Sequence, residues 1–389
     1  MLAYRNLGRT IQKALTQPRY AYQAFRARFK SYRSYLAGDG YSAPPETISL
    51  FLTFRCNLRC HMCGQWGDAG TFKNMSGDQL RGSLSLDEIK ALVDDVAATR
   101  PTFTLFGGEP TLYKEWVDVV RYIKSKGMRC NMVTNGMRLV QSADEVVKIG
   151  MDEIILSLDG EEETHDQSRG LQGAYQKMLE GTAAIQQAKR VNNVNRPVIT
   201  VNCTMNEKNY RNLPGVIRAA ERMGAQMVTF HHLLFLTQEV CRLHNQVFEA
   251  KFGQACQDWF GFIQDTLPTI DVEALIEEMD KLKKIKSDVA IAFYPNFTPE
   301  EIRRYYSPEA FTPTSYKGRC LSVWIAAYVL PDGNVRAYHS MDYTLGNIRE
   351  AKFTEIWNNE RFRDYRRYVK EIKRFPVCSR GCTELYRYG

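Results

Sequence analysis

The sequence predicts an α/β fold, a partial (β/α)6 barrel with a small α+β region after it. Two observations carry this. Between residues 46 and 234, six short apolar or β-branched runs alternate with five helical patterns, as βαβ units of a parallel sheet closed or partly closed into a barrel would. Beyond residue 319 the order changes to a β-hairpin pattern, a charged helix and a cysteine-containing tail.

Residues 1–45 read as a helical, basic N-terminal arm that ends in the breakers Gly38-Asp39-Gly40 and Pro44-Pro45. The predicted strands are 48–54, 102–106, 128–134, 153–158, 198–204 and 227–232. The helices between them are 86–98, opened by a capping box of Ser85 and Glu88, then 115–125, 143–149, 174–189 and 209–223. Residues 235–318 read as helices, 272–284 the clearest, and Pro-punctuated loops. In 319–389, the runs 323–330 and 335–338 flank the turn Pro331-Asp332-Gly333-Asn334 as a hairpin, and a charged helix is expected near 353–370.

A hydrophobic content of 44% and a charged content of 25% over 389 residues exclude whole-chain disorder. The longest apolar-rich run, 321–330, is ten residues, short of the roughly 18 that a spanning helix needs. The basic, aromatic N-terminus has no apolar h-region, so no secretory signal is expected. Ten unevenly spaced cysteines suggest a reducing compartment and metal or redox chemistry, hence a cytoplasmic location, soluble or peripheral at a membrane surface.

The net charge of +8 sits in residues 1–38, which hold eight Lys or Arg and no acid, while 39–389 balance. A uniformly basic nucleic-acid binder is thereby disfavoured, and no nucleic-acid partner is expected. Tyr22, Phe25, Phe29 and Tyr32 recur at helical spacing among Arg26, Arg28, Lys30 and Arg33. Such a helix either docks on the barrel, whose segment 39–360 carries −6, or gives residues 1–38 a peripheral membrane contact. A transit-like or peptide-recruiting arm is the remaining alternative.

Chemistry concentrates in Cys56-Asn57-Leu58-Arg59-Cys60-His61-Met62-Cys63, a C-x3-C-x2-C run just after the first strand. Three thiolates in a strand-end loop supply three ligands where a structural zinc or an ordinary [4Fe–4S] site takes four, so one iron would stay open. A zinc site of the three cysteines with His61 is the alternative that spacing permits. Further along stand Gly107-Gly108-Glu109-Pro110 after the second strand, Thr134-Asn135-Gly136 after the third, Ser157-Leu158-Asp159-Gly160 after the fourth, and Arg169-Gly170 beyond.

In this order the motifs resemble the radical S-adenosylmethionine (radical SAM) superfamily over residues 46–234, which implies a TIM-like partial barrel. The resemblance implies a [4Fe–4S] cluster on Cys56, Cys60 and Cys63, with SAM chelating the open iron. It implies Glu109, with Gly107 and Gly108, at the methionine ammonium and Arg169 at its carboxylate. Ser157 and Asp159 would bond the ribose or carboxylate, Asn135 and Asn202 are further polar contacts, and Met62 would pack beside the adenine. A reduced cluster would then cleave SAM to a 5′-deoxyadenosyl radical that abstracts hydrogen from substrate. A one-electron reductant such as flavodoxin or ferredoxin is implied as a partner.

Cys320, Cys378 and Cys382 form a second group that resembles the SPASM/twitch extension of these enzymes, which holds auxiliary iron–sulfur clusters. Three cysteines are too few for two clusters, so one auxiliary cluster is expected. Tyr338-His339 stands where the family often has a cysteine, and His339 is a candidate fourth ligand. Zinc in the tail is the alternative. Cys130 and Cys203, within strands, read as core residues. The expected outcome is oxidation or cross-linking of a peptide or small molecule. Redox-neutral epimerisation or rearrangement of a lipid-linked or sugar substrate, and a non-catalytic SAM-binding or electron-transfer protein, are the alternatives.

Overall fold

The computed structural model describes residues 18–388; Arg5, Arg9 and Lys13 of the basic arm lie outside them. The arm's helix, α1 (Pro18–Ala37), leads into β1 (Thr47–Phe51). Alternation follows as α2 (Leu86–Val96), β2 (Thr102–Phe106), α3 (Trp116–Ser125), β3 (Cys130–Thr134), α4 (Ala143–Ile149), β4 (Glu153–Ser157), α5 (Ala174–Val191), β5 (Val198–Met205), α6 (Leu213–Arg222) and β6 (Met227–His232). The predicted Ser85–Glu88 capping box forms, and Ile89, Leu92, Val93 and Val96 put one stripe of α2 into the core.

Among the described residues the strands form one sheet in the order β10-β9-β8-β1-β2-β3-β4-β5-β6-β7, open rather than closed. Two of these parallel strands go beyond the six expected. β7 (Ala290–Tyr294) follows the helices α7 (Gln238–Phe252) and α8 (Val272–Lys284) and pairs parallel with β6. Its five residues, four of them half-buried and only Tyr294 buried, stop at Pro295 and leave too weak a pattern to stand out from a loop. β8 (Ala326–Val329) does form the predicted hairpin with β9 (Asn334–Arg336), but it also pairs parallel with β1, Thr47 opposite Ala326. β10 (Gly346–Asn347) pairs antiparallel with β9. The predicted helix at 353–370 is two helices, Phe353–Ile356 and α10 (Glu360–Ile372), the latter N-capped by Asn359.

Strand parity separates the two faces of the sheet. Ile48, Leu50, Phe103, Leu105, Met132, Ile154, Leu156, Val201 and Phe230 are fully buried. Ser49, Thr104 and Asn131 are adjacent in register on the other parity, as are Ser157, Asn202 and Thr229. Polar side chains therefore collect on one face of the sheet, at neighbouring strands.

α1 docks on the body through Ala24, Ser31 and Tyr35, which are buried. Arg28 makes a bidentate pair with Glu46 (2.6 and 2.8 Å), Arg129 lies over the Tyr20 ring, and Tyr35 meets Trp324 edge-on at 5.0 Å. The aromatic stripe is divided: Tyr32 is half-buried, whereas Tyr22, Phe25 and Phe29 are 61%, 61% and 50% exposed. None of the described helices is long and apolar enough to cross a membrane.

The parallel part of the sheet ends at β7 on one side and at β8, which continues into β9 and β10, on the other, and the C-terminal segment packs near both ends. Tyr294 at the end of β7 donates its hydroxyl to the Thr383 carbonyl (2.7 Å), and Phe297 packs on Tyr386. Arg380 donates to the carbonyls of Arg304, Ser307 and Glu309 at the end of α9 (Pro299–Tyr305) and just beyond it. Glu301 on α9 fixes the next loop: it accepts the N–H groups of Thr298, Thr314 and Ser315 and the hydroxyls of Thr314 and Ser315. Burial alone would raise this carboxyl, but the donors win and hold it down at about 2, against an ordinary 4.5. Its folded-state value lies below its unfolded one, so the stabilisation is complete above pH ~4.5 and disappears as the pH falls toward 2. Glu301→Gln should cost about 1–3 kcal/mol at pH 7 and much less at pH 2, checked by urea denaturation at both values.

Candidate active site and auxiliary centre

The cysteine loop leaves the C-terminal end of β1. Cys60 is buried, Cys56 and Cys63 half-buried. Backbone N–H groups already point at sulfur, Leu58 to Cys56 Sγ (3.4 Å) and Trp66 to Cys63 Sγ (3.3 Å). Burial pushes the Cys56 thiol up to about 12, and the charges of Glu109, Cys60 and Cys63 push the same way. Three soft donors that repel one another as anions suit a shared cationic centre, and an iron–sulfur cluster with one iron left unbound by protein fits them. His61 does not join them, because Nδ1 meets the Ser168 carbonyl (3.3 Å) and Nε2 the Glu207 carboxylate (3.4 Å). Among the described residues no three or more His, Cys, Asp or Glu stand close enough to share a single metal ion, the three cysteines and His61 included.

Gly107 and Gly108 are required by the approach of this loop. A Cβ on Gly107, at φ +135°, would sit 2.5 Å from the Thr53 carbonyl oxygen, and one on Gly108 2.2 Å from that of Arg55. Gly108 N–H donates to Thr53 and Glu109 N–H to Arg55, which locks the β2 loop onto the root of the cysteine loop. Glu109 then enters the interior at 1% exposure. Its Oε1 accepts the Thr111 N–H (3.1 Å) and hydroxyl (2.6 Å) and the Thr134 hydroxyl (2.7 Å), while Oε2 accepts the Asn135 N–H (2.9 Å). Burial raises the carboxyl, and these four donors oppose it. Asn135 also donates its side-chain amide to Asn57 in the cysteine loop (2.8 Å).

Arg169 and Asp159 face one another, Nε to Oδ2 at 2.7 Å, with Asp159 fully buried. Asp159 also accepts the Thr204 N–H (3.1 Å), and Arg169 reaches toward Cys60 Sγ (3.9 Å). Burial works against the Arg169 charge, but Asp159 and Cys60 more than offset it and hold its pKa above the ordinary value. Arg169 is thus a fixed cation beside one thiol of the loop. Ser157 and Asn202 are register neighbours, both half-buried, and Met62 packs half-buried against the core.

The second group of cysteines also assembles. Cys320, Cys378 and Cys382 line one cavity, walled by Trp259, Tyr338 and Tyr365, and Glu384 lines it with them. Burial pushes Cys320 up to about 11 and Cys378 to about 12, and burial with Cys378, Cys320 and Glu384 nearby pushes Cys382 well above the ordinary thiol value. Soft donors in an aromatic enclosure fit an iron–sulfur centre. His339 is not in the lining, which corrects its place as candidate fourth ligand. Its ring is tilted against that of Tyr338 (4.1 Å) and lies against Phe51 and Phe106, with Nδ1 bonded to the Ser340 hydroxyl (2.8 Å). Cys130, Cys203, Cys241 and Cys256 are buried elsewhere.

Comparison with known proteins gives two family matches, the radical SAM superfamily over residues 50–212 and the SPASM iron–sulfur cluster-binding domain over 320–383, together more than half of the chain. The chain belongs to the radical SAM superfamily. Among its relatives, the Fe-coproporphyrin III synthase of Methanosarcina barkeri is 28% identical over 79% of this chain and 72% of that protein. The PqqA peptide cyclase of Rhodopseudomonas palustris is 25% identical over 83% and 76%. Streptococcus suis SuiB bound to S-adenosylmethionine shares the fold at TM-score 0.58 and 12% identity, over 83% of this chain and 68% of SuiB.

The chain is therefore a radical SAM enzyme whose cofactors are a [4Fe–4S] cluster, SAM and auxiliary iron–sulfur. Its sequence motifs mark the donors better than what holds them. Thr111, Thr134 and Asn57 lie inside or beside motifs, yet their bonds to Glu109 and Asn135 have no signature. Nothing in the sequence singles out Trp259 and Phe262. The helical turn Asp258–Phe262 sets Phe262 against Gly64, next to Cys63, and Trp259 into the wall of the auxiliary cavity, their rings 6.1 Å apart.

Asp159→Asn would leave the Arg169 charge buried without its counter-ion and should cost about 3 kcal/mol. Arg169→Met added to it should recover part of that loss. Urea unfolding of the apo single and double variants measures both, and a double variant no more stable than the single one would show the two groups uncoupled.

Proposed function

We propose that this radical SAM enzyme oxidises a peptide or small-molecule substrate, with the auxiliary centre accepting the second electron. When bound, the reduced cluster and SAM supply a 5′-deoxyadenosyl radical, which takes a hydrogen atom from the substrate. The observation that carries the oxidative reading is the Trp259–Phe262 segment, a single rigid piece of chain in contact with both metal-binding regions. Substrate that has lost a hydrogen atom retains one electron to give up. An acceptor close to the cysteine loop receives it, and a proton leaves to solvent, so the substrate is oxidised by two electrons in all. The first electron comes from a reductant of the flavodoxin or ferredoxin class.

The proposed SAM contacts follow from the lone pairs left free. Oε1 of Glu109 is saturated by three donors while Oε2 takes one, which supports Oε2 as acceptor for the methionine ammonium. Arg169, fixed at Asp159 and beside Cys60, is suited to the methionine carboxylate next to the open iron. Ser157 and Asn202 offer adjacent side chains for the ribose, Asn135 orients the loop through Asn57, and Met62 lies beside the adenine.

Anaerobic reconstitution followed by dithionite and SAM should give 5′-deoxyadenosine by mass spectrometry, and Cys63→Ala should give none. A cluster visible by EPR that yields no deoxyadenosine with any peptide or small molecule tried would count against this reading.

The outward face of α1 favours a second reading, a redox-neutral rearrangement or epimerisation of a lipid-linked substrate. Exposed Tyr22, Phe25 and Phe29 with exposed Arg26, Lys30 and Arg33 match a helix lying on an anionic bilayer. The protein should then float with phosphatidylserine vesicles, and the triple substitution of Tyr22, Phe25 and Phe29 by Ser should abolish flotation. Wild-type protein that stays at the bottom of the gradient removes this reading.

A further inference from the structure

The auxiliary cavity offers three thiols, one short of a complete set for a four-iron cluster, and the chain around it supplies one further anionic donor. Glu384 lines the same cavity as Cys320, Cys378 and Cys382 and is 8% exposed. It lies two residues after Cys382, at the start of the short helix Glu384–Tyr388. Its charge is felt by the thiols of both Cys320 and Cys382.

Two contacts hold the carboxylate without exhausting it. Oε2 accepts the Ser322 hydroxyl (3.2 Å), and Oε1 meets Arg387 (3.2 Å). Each oxygen keeps a lone pair, and a carboxylate oxygen is a competent iron donor, although harder than thiolate. Ser322 lies two residues from Cys320, so the bond orients Glu384 from the strand side while Cys382 fixes its backbone from the tail side.

Three other heteroatom-bearing side chains near the cavity are worse placed. His339 is not in the lining, and its ring lies against Tyr338, Phe51 and Phe106. Tyr338 lines the cavity, but its ring lies flat on Trp259 (12° between planes, centroids 5.6 Å). Arg374 is cationic and donates to Gly318 and Thr312.

We propose that the Glu384 carboxylate is the fourth protein ligand of the auxiliary cluster, giving it three thiolates and one carboxylate. The inference rests on Cys320, Cys378 and Cys382 being the thiolate ligands. A ligand set of this kind leaves one iron with a harder, more weakly donating partner than its three neighbours.

The test uses the full chain with Cys56, Cys60 and Cys63 replaced by Ala, so that the auxiliary cluster is observed alone. Iron and sulfide content, EPR of the dithionite-reduced state and the midpoint potential are read for this parent and for its Glu384→Gln, Glu384→Cys and Tyr338→Phe variants. The parent should hold a cluster. Glu384→Gln should shift the EPR signal and the potential and lose iron on mild oxidation. Glu384→Cys should retain iron at the parent's level with a third, all-thiolate spectrum, and Tyr338→Phe should match the parent. A Glu384→Gln spectrum, potential and iron content equal to the parent's would overturn the assignment alone. So would a change confined to Tyr338→Phe, or iron lost equally from the Gln and Cys variants. A parent without iron would instead overturn the thiolate set, and Glu384 with it.

Discussion

The gap between β7 and β8 is the constraint on which the rest of this molecule depends. A parallel sheet of this length with helices on one face curls, and here the curl stays open between β7, an edge strand, and β8, which is paired with β1 and β9. The stretch from Cys378 to Tyr386 packs near both, held by Tyr294, Tyr305 and the carbonyls that Arg380 gathers. The same stretch carries two of the three cysteines of the auxiliary cavity. Packing at both ends of the parallel sheet and building the second metal-binding region are thus one structural act.

The opposite requirement, anchoring the tail to the rest of the chain, falls on buried cations. Arg366 of α10 is fully buried without a carboxylate partner. It donates to the carbonyls of Val323 and Gly40 and lies between the rings of Trp357 and Phe362. Burial drives its pKa down, and the carbonyl dipoles and ring faces are what keep the guanidinium tolerable there. Through it the linker after α1, the turn before β8 and the C-terminal helix share one fastening point. α1 adds a second through Arg28 and Glu46, leaving its aromatic outer face unused by the fold.

The sequence made the first six strands and the cysteine loop readable because both have local signatures. Apolar parity marks Thr102–Phe106 and Met227–His232 to the residue, and C-x3-C-x2-C is contiguous. β8 was readable as half of a hairpin but not as the neighbour of β1, since pairing across 279 residues leaves no local trace. β7 was hidden by its shortness. In the site, the donors Glu109, Arg169 and the cysteines stand in motifs, whereas the Asp159–Arg169 pair is a tertiary fact that spacing does not encode. His339 is a candidate because Tyr338-His339 stands where the family often has a cysteine and imidazole can replace thiolate on iron. Its ring lies beside that of Tyr338 in the turn after β9, and of the two only Tyr338 lines the cavity.

The pairing of Thr47 with Ala326 also has a consequence in time. A ribosome adding roughly 5–20 residues per second completes β1 on the order of 15–55 s before it reaches β8. Throughout that interval the strand bearing the cysteine loop has an open flank, and the residues that will wall the second cavity do not yet exist.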